Sequence, residues 1–152
     1  MIFKYETKVR PEWIDYNGHM QDAFYGLVFS YAVDALQDEV GFDQEYRSKT
    51  GCTIYLVEDH RFYLKELYSG DQLQVETRVL DVDEKRFHLY LAMQRRSELV
   101  AVCEFIELHV CKNPRPKACA MPSKIRMKLE SAKQSLDQHL SHRLRSRTLS
   151  LR

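Results

Sequence analysis

The chain has 152 residues, enough for one ordinary domain with a core that needs neither disulfides nor a structural metal. With 44% hydrophobic and 30% charged residues it has the balance of a soluble globular protein, and no apolar run approaches the roughly 18 residues of a membrane span. The net charge of +1 hides an asymmetry: eight Lys/Arg against two Asp/Glu from Lys124 onward make that stretch +6, leaving residues 1–123 at −5.

Residues 2–10 alternate apolar and polar as a half-buried strand does, and Pro11 ends them. A polar loop with Gly18 follows. From Asp22, the residues Phe24, Leu27, Val28, Tyr31, Ala35 and Leu36 recur at helical spacing until Gly41, predicting one helix of about five turns. After Gly51 the period changes to two. Thr53–Leu67, Gln72–Val82, Arg86–Gln94 and Leu99–Val110 are expected strands, rich in Val, Leu, Tyr and Phe and separated by short polar breaks that suit antiparallel neighbours.

One early helix and about five antiparallel strands make an α+β design in which a curved sheet wraps the helix and covers its apolar stripe. Pro114, Pro116 and Pro122 mark the exit from the sheet. Beyond them Ile125, Leu129, Leu136, Leu140 and Leu144 keep approximate helical spacing, so residues 1–122 are expected as the globular domain and 123–152 as a basic C-terminal helix that frays toward Arg152.

The N-terminus lacks the basic start and apolar core of a secretion signal, which makes the cytoplasm the expected location. Cys52, Cys103, Cys111 and Cys119 lie far apart without a CxxC pair, an arrangement that argues against a zinc site and, in the cytoplasm, against disulfides. His60, His88 and His109 fall on expected strands with no metal-ligand spacing, so no bound metal or cofactor is expected. The basic tail lacks interleaved aromatics and any nucleic-acid-binding motif, so neither nucleic acid nor membrane is an expected partner.

Chemistry concentrates in Glu12-Trp-Ile-Asp15-Tyr-Asn-Gly-His19-Met-Gln-Asp22, which joins the first strand to the N-terminus of the helix. Unpaired amides and the helix dipole favour negative charge there, which suits an oxyanion. Thioester hydrolysis needs little leaving-group protonation. It needs a carboxylate to attack or to activate water, and donors aimed at the carbonyl oxygen. Asp15 and the first helical amides can supply both. Taken alone, an aspartate before Asn17-Gly18 is as readily a turn-capping residue, and His19 a loop histidine bonded to backbone.

The string DxxGH, followed by Glu58-Asp-His-Arg-Phe-Tyr-Leu-Lys-Glu-Leu67 and by Gly70-Asp71 opening the next strand, resembles the hotdog-fold acyl-CoA thioesterases of the 4-hydroxybenzoyl-CoA thioesterase type over most of residues 3–112. The resemblance implies that Asp15 is nucleophile or general base and that the amide at Asp22 polarises the thioester carbonyl. It also implies that Asn17, Gly18 and His19 order the loop, and that sheets pair across a two-fold axis into a homodimer or a tetramer of dimers. Within this group, residues 12–20 and Glu58-Asp59-His60 are similar to thioesterases that hydrolyse betainyl-CoA.

For a quaternary ammonium acyl group, aromatic faces and a carboxylate are suitable, and Trp13, Tyr16, Phe24, Tyr25 and Glu58 are the candidates. Trp13 and the helix aromatics serve equally as core residues. Lys85, Arg86, Arg95 and Arg96, at turns, are candidates for the phosphates of coenzyme A, although basic turn residues are more often merely solvated. Against hydrolysis stand a noncatalytic acyl-CoA or acyl-carrier-protein binder and a hydratase, whose acid–base pattern only Asp34 could imitate in part.

Overall fold

A computed structural model of the chain describes residues 1–134 and 144–150. Six antiparallel strands form one sheet: β1 (Phe3–Lys8), β2 (Cys52–Tyr63), β3 (Gln72–Val82), β4 (Arg86–Arg95), β5 (Glu98–Cys111) and the two-residue β6 (Lys117–Ala118). The order is β1-β3-β4-β5-β2, with β6 added to the end of β5. The long helix α1 (Asp22–Val40) lies on one face of this sheet, as its residue spacing predicts.

Tyr25, Val28, Phe29, Ala32, Val33, Leu36 and Val40 of α1 are buried at intervals of three and four residues. They meet the inward rows of the strands: Leu73, Val75 and Val79 from β3, Phe87, Leu89, Leu91 and Met93 from β4, and Ala101, Cys103 and Phe105 from β5. Register slips at Leu56/Glu58 and Val79/Asp81 insert an extra residue and add to the bend with which the sheet follows the helix.

Two expectations are corrected and one element is added. Residues 44–50 form a second helix, α2 (Gln44–Thr50), between the long helix and the first long strand; it is short and buries none of its residues, so it has no apolar stripe to detect. Its signal is the cap: Asp43 Oδ1 accepts the Tyr46 amide at 2.8 Å. The strand expected to reach Leu67 ends at Tyr63, where the chain leaves the sheet edge and the Leu64 and Lys65 amides both turn to the Val100 carbonyl.

The C-terminal helix, α3 (Ser123–Ser131), is shorter than its leucine spacing suggests. Ile125 and Leu129 fill the core and the helix stops at Ala132, after which Lys133 and Gln134 run beside Val79 of β3. Leu136 and Leu140 lie outside the described residues. Residues 144–150 are not helical; Leu144 packs on the outer sheet face with Phe62, Leu80, Tyr90, Ala92, Leu99 and Val102.

That outer face holds a buried carboxylate, Glu104 of β5. It is bonded to His88 Nε2 (2.7 Å), to Arg145 Nε (2.6 Å) and to the Ser146 amide (2.7 Å). Burial works to raise its pKa, but these donors outweigh it and hold the group down at about 2. Its contribution to stability is therefore present above the ordinary glutamate value and is lost as pH falls through about 2. Glu104→Ala leaves His88 and Arg145 without their acceptor, and urea unfolding at neutral pH should show a loss of about 2 kcal/mol.

Candidate active site

The loop before α1 is built almost wholly from its own backbone bonds. Ile14 and Met20 form an isolated antiparallel bridge, with the Asp15 amide donating to the His19 carbonyl (3.0 Å) and the Gly18 amide to the Asp15 carbonyl (3.0 Å). The Asn17 amide donates to Asp15 Oδ1 at 2.8 Å, an Asx turn that fixes the carboxylate. Gly18 sits at φ +80°, a conformation that a residue with a Cβ adopts only under strain. The Met20 amide then donates to the Leu67 carbonyl (2.8 Å) and the Gln21 amide to the Trp13 carbonyl (3.0 Å), tying the loop to the end of the β2 segment and delivering the chain into α1.

The N-terminus of α1 carries no side-chain cap. Among the described residues, the amides of Asp22 and Ala23 have no acceptor, whereas the Phe24 amide bonds the Gln21 carbonyl. Two donors and the positive end of a 19-residue helix thus point to where the loop ends.

Asp15, Asn17, His19, Met20, Asp22 and Tyr25 line one cleft of about 470 Å³ together with Tyr63, Leu64, Lys65 and Glu66. The Tyr25 hydroxyl donates to the Lys65 carbonyl (3.0 Å), and its ring meets Tyr63 edge-on at 5.3 Å. Burial and the Glu66 carboxylate push the Tyr25 phenol up to about 12, so it stays protonated. His19 Nε2 is 3.3 Å from Glu66 Oε2 and its ring is edge-on to Tyr68. Asp71, of the Gly70-Asp71 pair, accepts the Tyr68 amide (2.9 Å) and Arg95 (3.0 Å), which braces the strip bearing Glu66.

The fold does not bring every expected residue to this cleft. Trp13 is buried and stacked on Phe24 at 5.5 Å, with Arg10 on the ring, so it is a core residue. Tyr16 is 98% exposed at the loop tip. Glu58 follows the β2 bulge and points to the outer face, in a different cleft with Asp83, Arg86 and His88; Arg86 is paired with Asp83, and Lys85 lies exposed in the same turn. Arg95 is the basic turn residue beside the Asp15 cleft, through its bonds to Asp71 and to the Glu66 carbonyl.

Farther along the groove between α1 and β2, Arg61 lies against Gly26, held by Asp59, in space that any side chain at position 26 would occupy. Beyond it is a second cleft of about 460 Å³, lined by Val33, Asp34, Ile54, Leu56, Phe105 and Glu107 among others. Glu107 is only 3% exposed, and among the described residues nothing donates to it. A core-facing carboxyl without a partner costs stability, so its presence marks the cleft as more than packing. Sequence reading missed Tyr63, Lys65 and Glu107; the signal for Glu107 is a glutamate in phase with Cys103 and Phe105, on the inward row of β5.

Burial, reinforced by Asp34, pushes the Glu107 carboxyl up to about 7. The folded protein thus holds a proton there that the unfolded chain releases near 4.5, so the associated stability is full below about 4.5 and is lost as pH rises through about 7. Glu107→Gln should flatten this part of the stability curve, raising Tm at about pH 8 relative to the unsubstituted protein and leaving it little changed at about pH 5.

The model of the thioesterase-like superfamily matches residues 9–129. A betainyl-CoA thioesterase from Pseudomonas aeruginosa is 42% identical over 112 residues, covering 72% of this chain and 70% of that protein. An L-carnitine dehydrogenase/betainyl-CoA thioesterase from Agrobacterium fabrum is also 42% identical, over 107 residues that cover 70% of this chain and 22% of that much longer protein. Among solved structures, a Staphylococcus aureus protein in complex with CoA superposes with a TM-score of 0.84 at 26% identity, covering 97% of this chain and 96% of that one. The strand order, the helix inside the curved sheet, the cleft at its N-terminus and these matches agree: the chain belongs to the thioesterase-like superfamily, and it is a hotdog-fold thioesterase.

Proposed function

We propose that this protein hydrolyses acyl-CoA thioesters at the Asp15 cleft and that betainyl-CoA is its preferred substrate. The observation that carries the reading is the placement of a turn-fixed carboxylate, Asp15, in one cleft with the uncapped N-terminus of α1. The thioester carbonyl oxygen takes the Asp22 and Ala23 amides, which stabilise the negative charge that grows on it. Asp15 attacks the carbonyl carbon or draws a proton from the water that does; in either route the C–S bond breaks and coenzyme A leaves as a thiolate that needs little protonation. Asn17 and Gly18 hold the carboxylate, His19 and Glu66 order the rim, and Tyr25 and Tyr63 supply aromatic walls. Lys65 and Arg95 are the cations near enough to this rim to meet the phosphates of coenzyme A.

The acidic second cleft supports the betainyl reading. The working unit is a homodimer formed through β2, whose outer backbone edge is unpaired among the described residues and whose Tyr55, Leu56 and Val57 are exposed. Antiparallel pairing of two β2 edges sets the Tyr63 end of one beside the Cys52 end of the other, so the Asp15 cleft of one copy opens toward Asp34 and Glu107 of the second. A trimethylammonium group cannot donate a conventional hydrogen bond; a cleft in which, among the described residues, Asp34 and Glu107 lack donors beside Val33, Ile54 and Phe105, and in which Arg47 is paired with Asp38, is complementary to it.

The test is thiol release over a panel of acyl-CoA substrates that includes betainyl-CoA and acetyl-CoA. Asp15→Asn should lower kcat by at least about a thousandfold on all of them with the fold intact. Glu107→Gln should cost betainyl-CoA about tenfold more in kcat/KM than acetyl-CoA, the equivalent of about 1.4 kcal/mol. Turnover indifferent to Asp15→Asn would discard this carboxylate, and better turnover of acetyl-CoA than of betainyl-CoA would discard the substrate. Incorporation of solvent oxygen into Asp15 during a single turnover in heavy-oxygen water would identify direct attack.

A further inference from the structure

Away from both clefts, at the far end of the sheet, the fold gathers three of the four cysteines with a histidine. Cys52 begins β2, His109 and Cys111 are alternate residues at the end of β5, and Cys119 follows β6. Cys52 and Cys111 are direct cross-strand partners, and β6 is paired with Val110 and Cys111, so sheet register alone converges the four side chains. Their Sγ atoms and an imidazole nitrogen all lie within 4.8 Å of one another, with Cys52 and His109 buried.

Disulfide chemistry does not account for this cluster. The Cys111 sulfur lies against those of both Cys52 and Cys119, and a sulfur forms only one disulfide, so any pairing leaves a third thiol and a buried imidazole in the same place. A tetrahedral thiolate–imidazole set uses all four. With Zn–S near 2.3 Å and Zn–N near 2.0–2.1 Å, the N···S edge of such a tetrahedron is about 3.6 Å and the S···S edge about 3.8 Å. His109 Nδ1 lies 3.4 Å from Cys119 Sγ, close to the N···S edge, and all four ligand atoms lie within 4.8 Å of one another.

The second nitrogen is also provided for. His109 Nε2 is 2.8 Å from the Tyr46 hydroxyl, and Nδ1 is 3.0 Å from the Cys119 carbonyl, which can only accept, so in the metal-free geometry Nδ1 carries the proton and the Tyr46 hydroxyl donates to Nε2. Ligation through Nδ1 replaces the carbonyl contact and moves the proton to Nε2, where the same hydroxyl turns to accept it. The His109 ring stacks on Phe42 at 5.5 Å, which limits its rotation.

We propose that Cys52, His109, Cys111 and Cys119 bind one zinc ion as a structural site. Four protein ligands leave no open position, so the ion does no chemistry on substrate. It joins α2, through Tyr46, to the start of the β2 edge and to the β5–β6 turn. It thereby holds the Cys52 end of the strand through which the dimer is proposed to form.

The test uses the full chain, purified under reducing conditions and read by metal analysis and alkylation mass counting. The expected result is about one zinc per chain. Four N-ethylmaleimide adducts should form on denaturation in chelator without reductant, one for each cysteine including Cys103. Cys119→Ser, at a half-exposed position, should weaken zinc binding at least about a hundredfold against a chromophoric chelator, and Tyr46→Phe about tenfold. Cobalt in place of zinc should give the visible absorption of a tetrahedral thiolate complex, a signature that does not depend on how well either variant folds. Two adducts instead of four would replace the proposal with a disulfide. Four adducts without zinc, even after equimolar zinc is added to the reduced chain, would overturn it.

Discussion

The contact on which everything else depends is the burial of one stripe of α1 against the concave face of the sheet. Val28, Phe29, Ala32, Val33 and Leu36 meet the inward rows of β3, β4 and β5, and this apolar surface forms the main hydrophobic core of the molecule. Its geometry leaves little freedom. Because the helix is clamped along its length, its first turn must emerge at one fixed place, beside the strip that leaves β2 at Tyr63. The Asp15 loop is thus anchored at both ends by rigid elements: Trp13 stacks on Phe24, and Leu67 accepts the Met20 amide.

That anchoring fixes the geometry on which the proposed chemistry of so short a loop depends. A carboxylate on an exposed loop is normally solvated and mobile. Here the Asn17 amide, the Ile14–Met20 bridge and the positive φ at Gly18 hold Asp15, while the uncapped helix supplies unpaired amides at low reorganisation cost. Stability is given up at the helix terminus, where an ordinary serine or aspartate cap is absent, and the same free donors are what a developing oxyanion requires.

Two buried carboxyls show how environment separates residues of one type. Glu104, on the outer face, is surrounded by His88, Arg145 and Ser146 and is held as a carboxylate. Glu107, three residues on and on the inner face, is buried facing Asp34 and is pushed toward neutrality. The first behaves as a clasp for the C-terminal segment. The second is costly by itself and makes sense beside a cationic group.

The residue pattern alone determined the long helix, the four long strands and the antiparallel class, because periods of 3.6 and two residues are local signals. It also marked out the loop that carries Asp15, whose turn chemistry is written in consecutive residues. Only the tertiary structure decided what depends on register and face. The bulge between Leu56 and Glu58 turns Glu58 away from the site, Trp13 goes into the core, and Glu107 comes under Asp34 across a gap of 73 positions. The cysteines are the clearest case. Their separations carry no metal signal along the chain, yet the pairing of β2 with β5 and of β5 with β6 brings Cys52, Cys111 and Cys119 to one point around His109. Sequence distance and spatial distance part company wherever strands far apart in the chain are zipped together by their backbones, since the hydrogen bonds that align them are blind to side-chain identity.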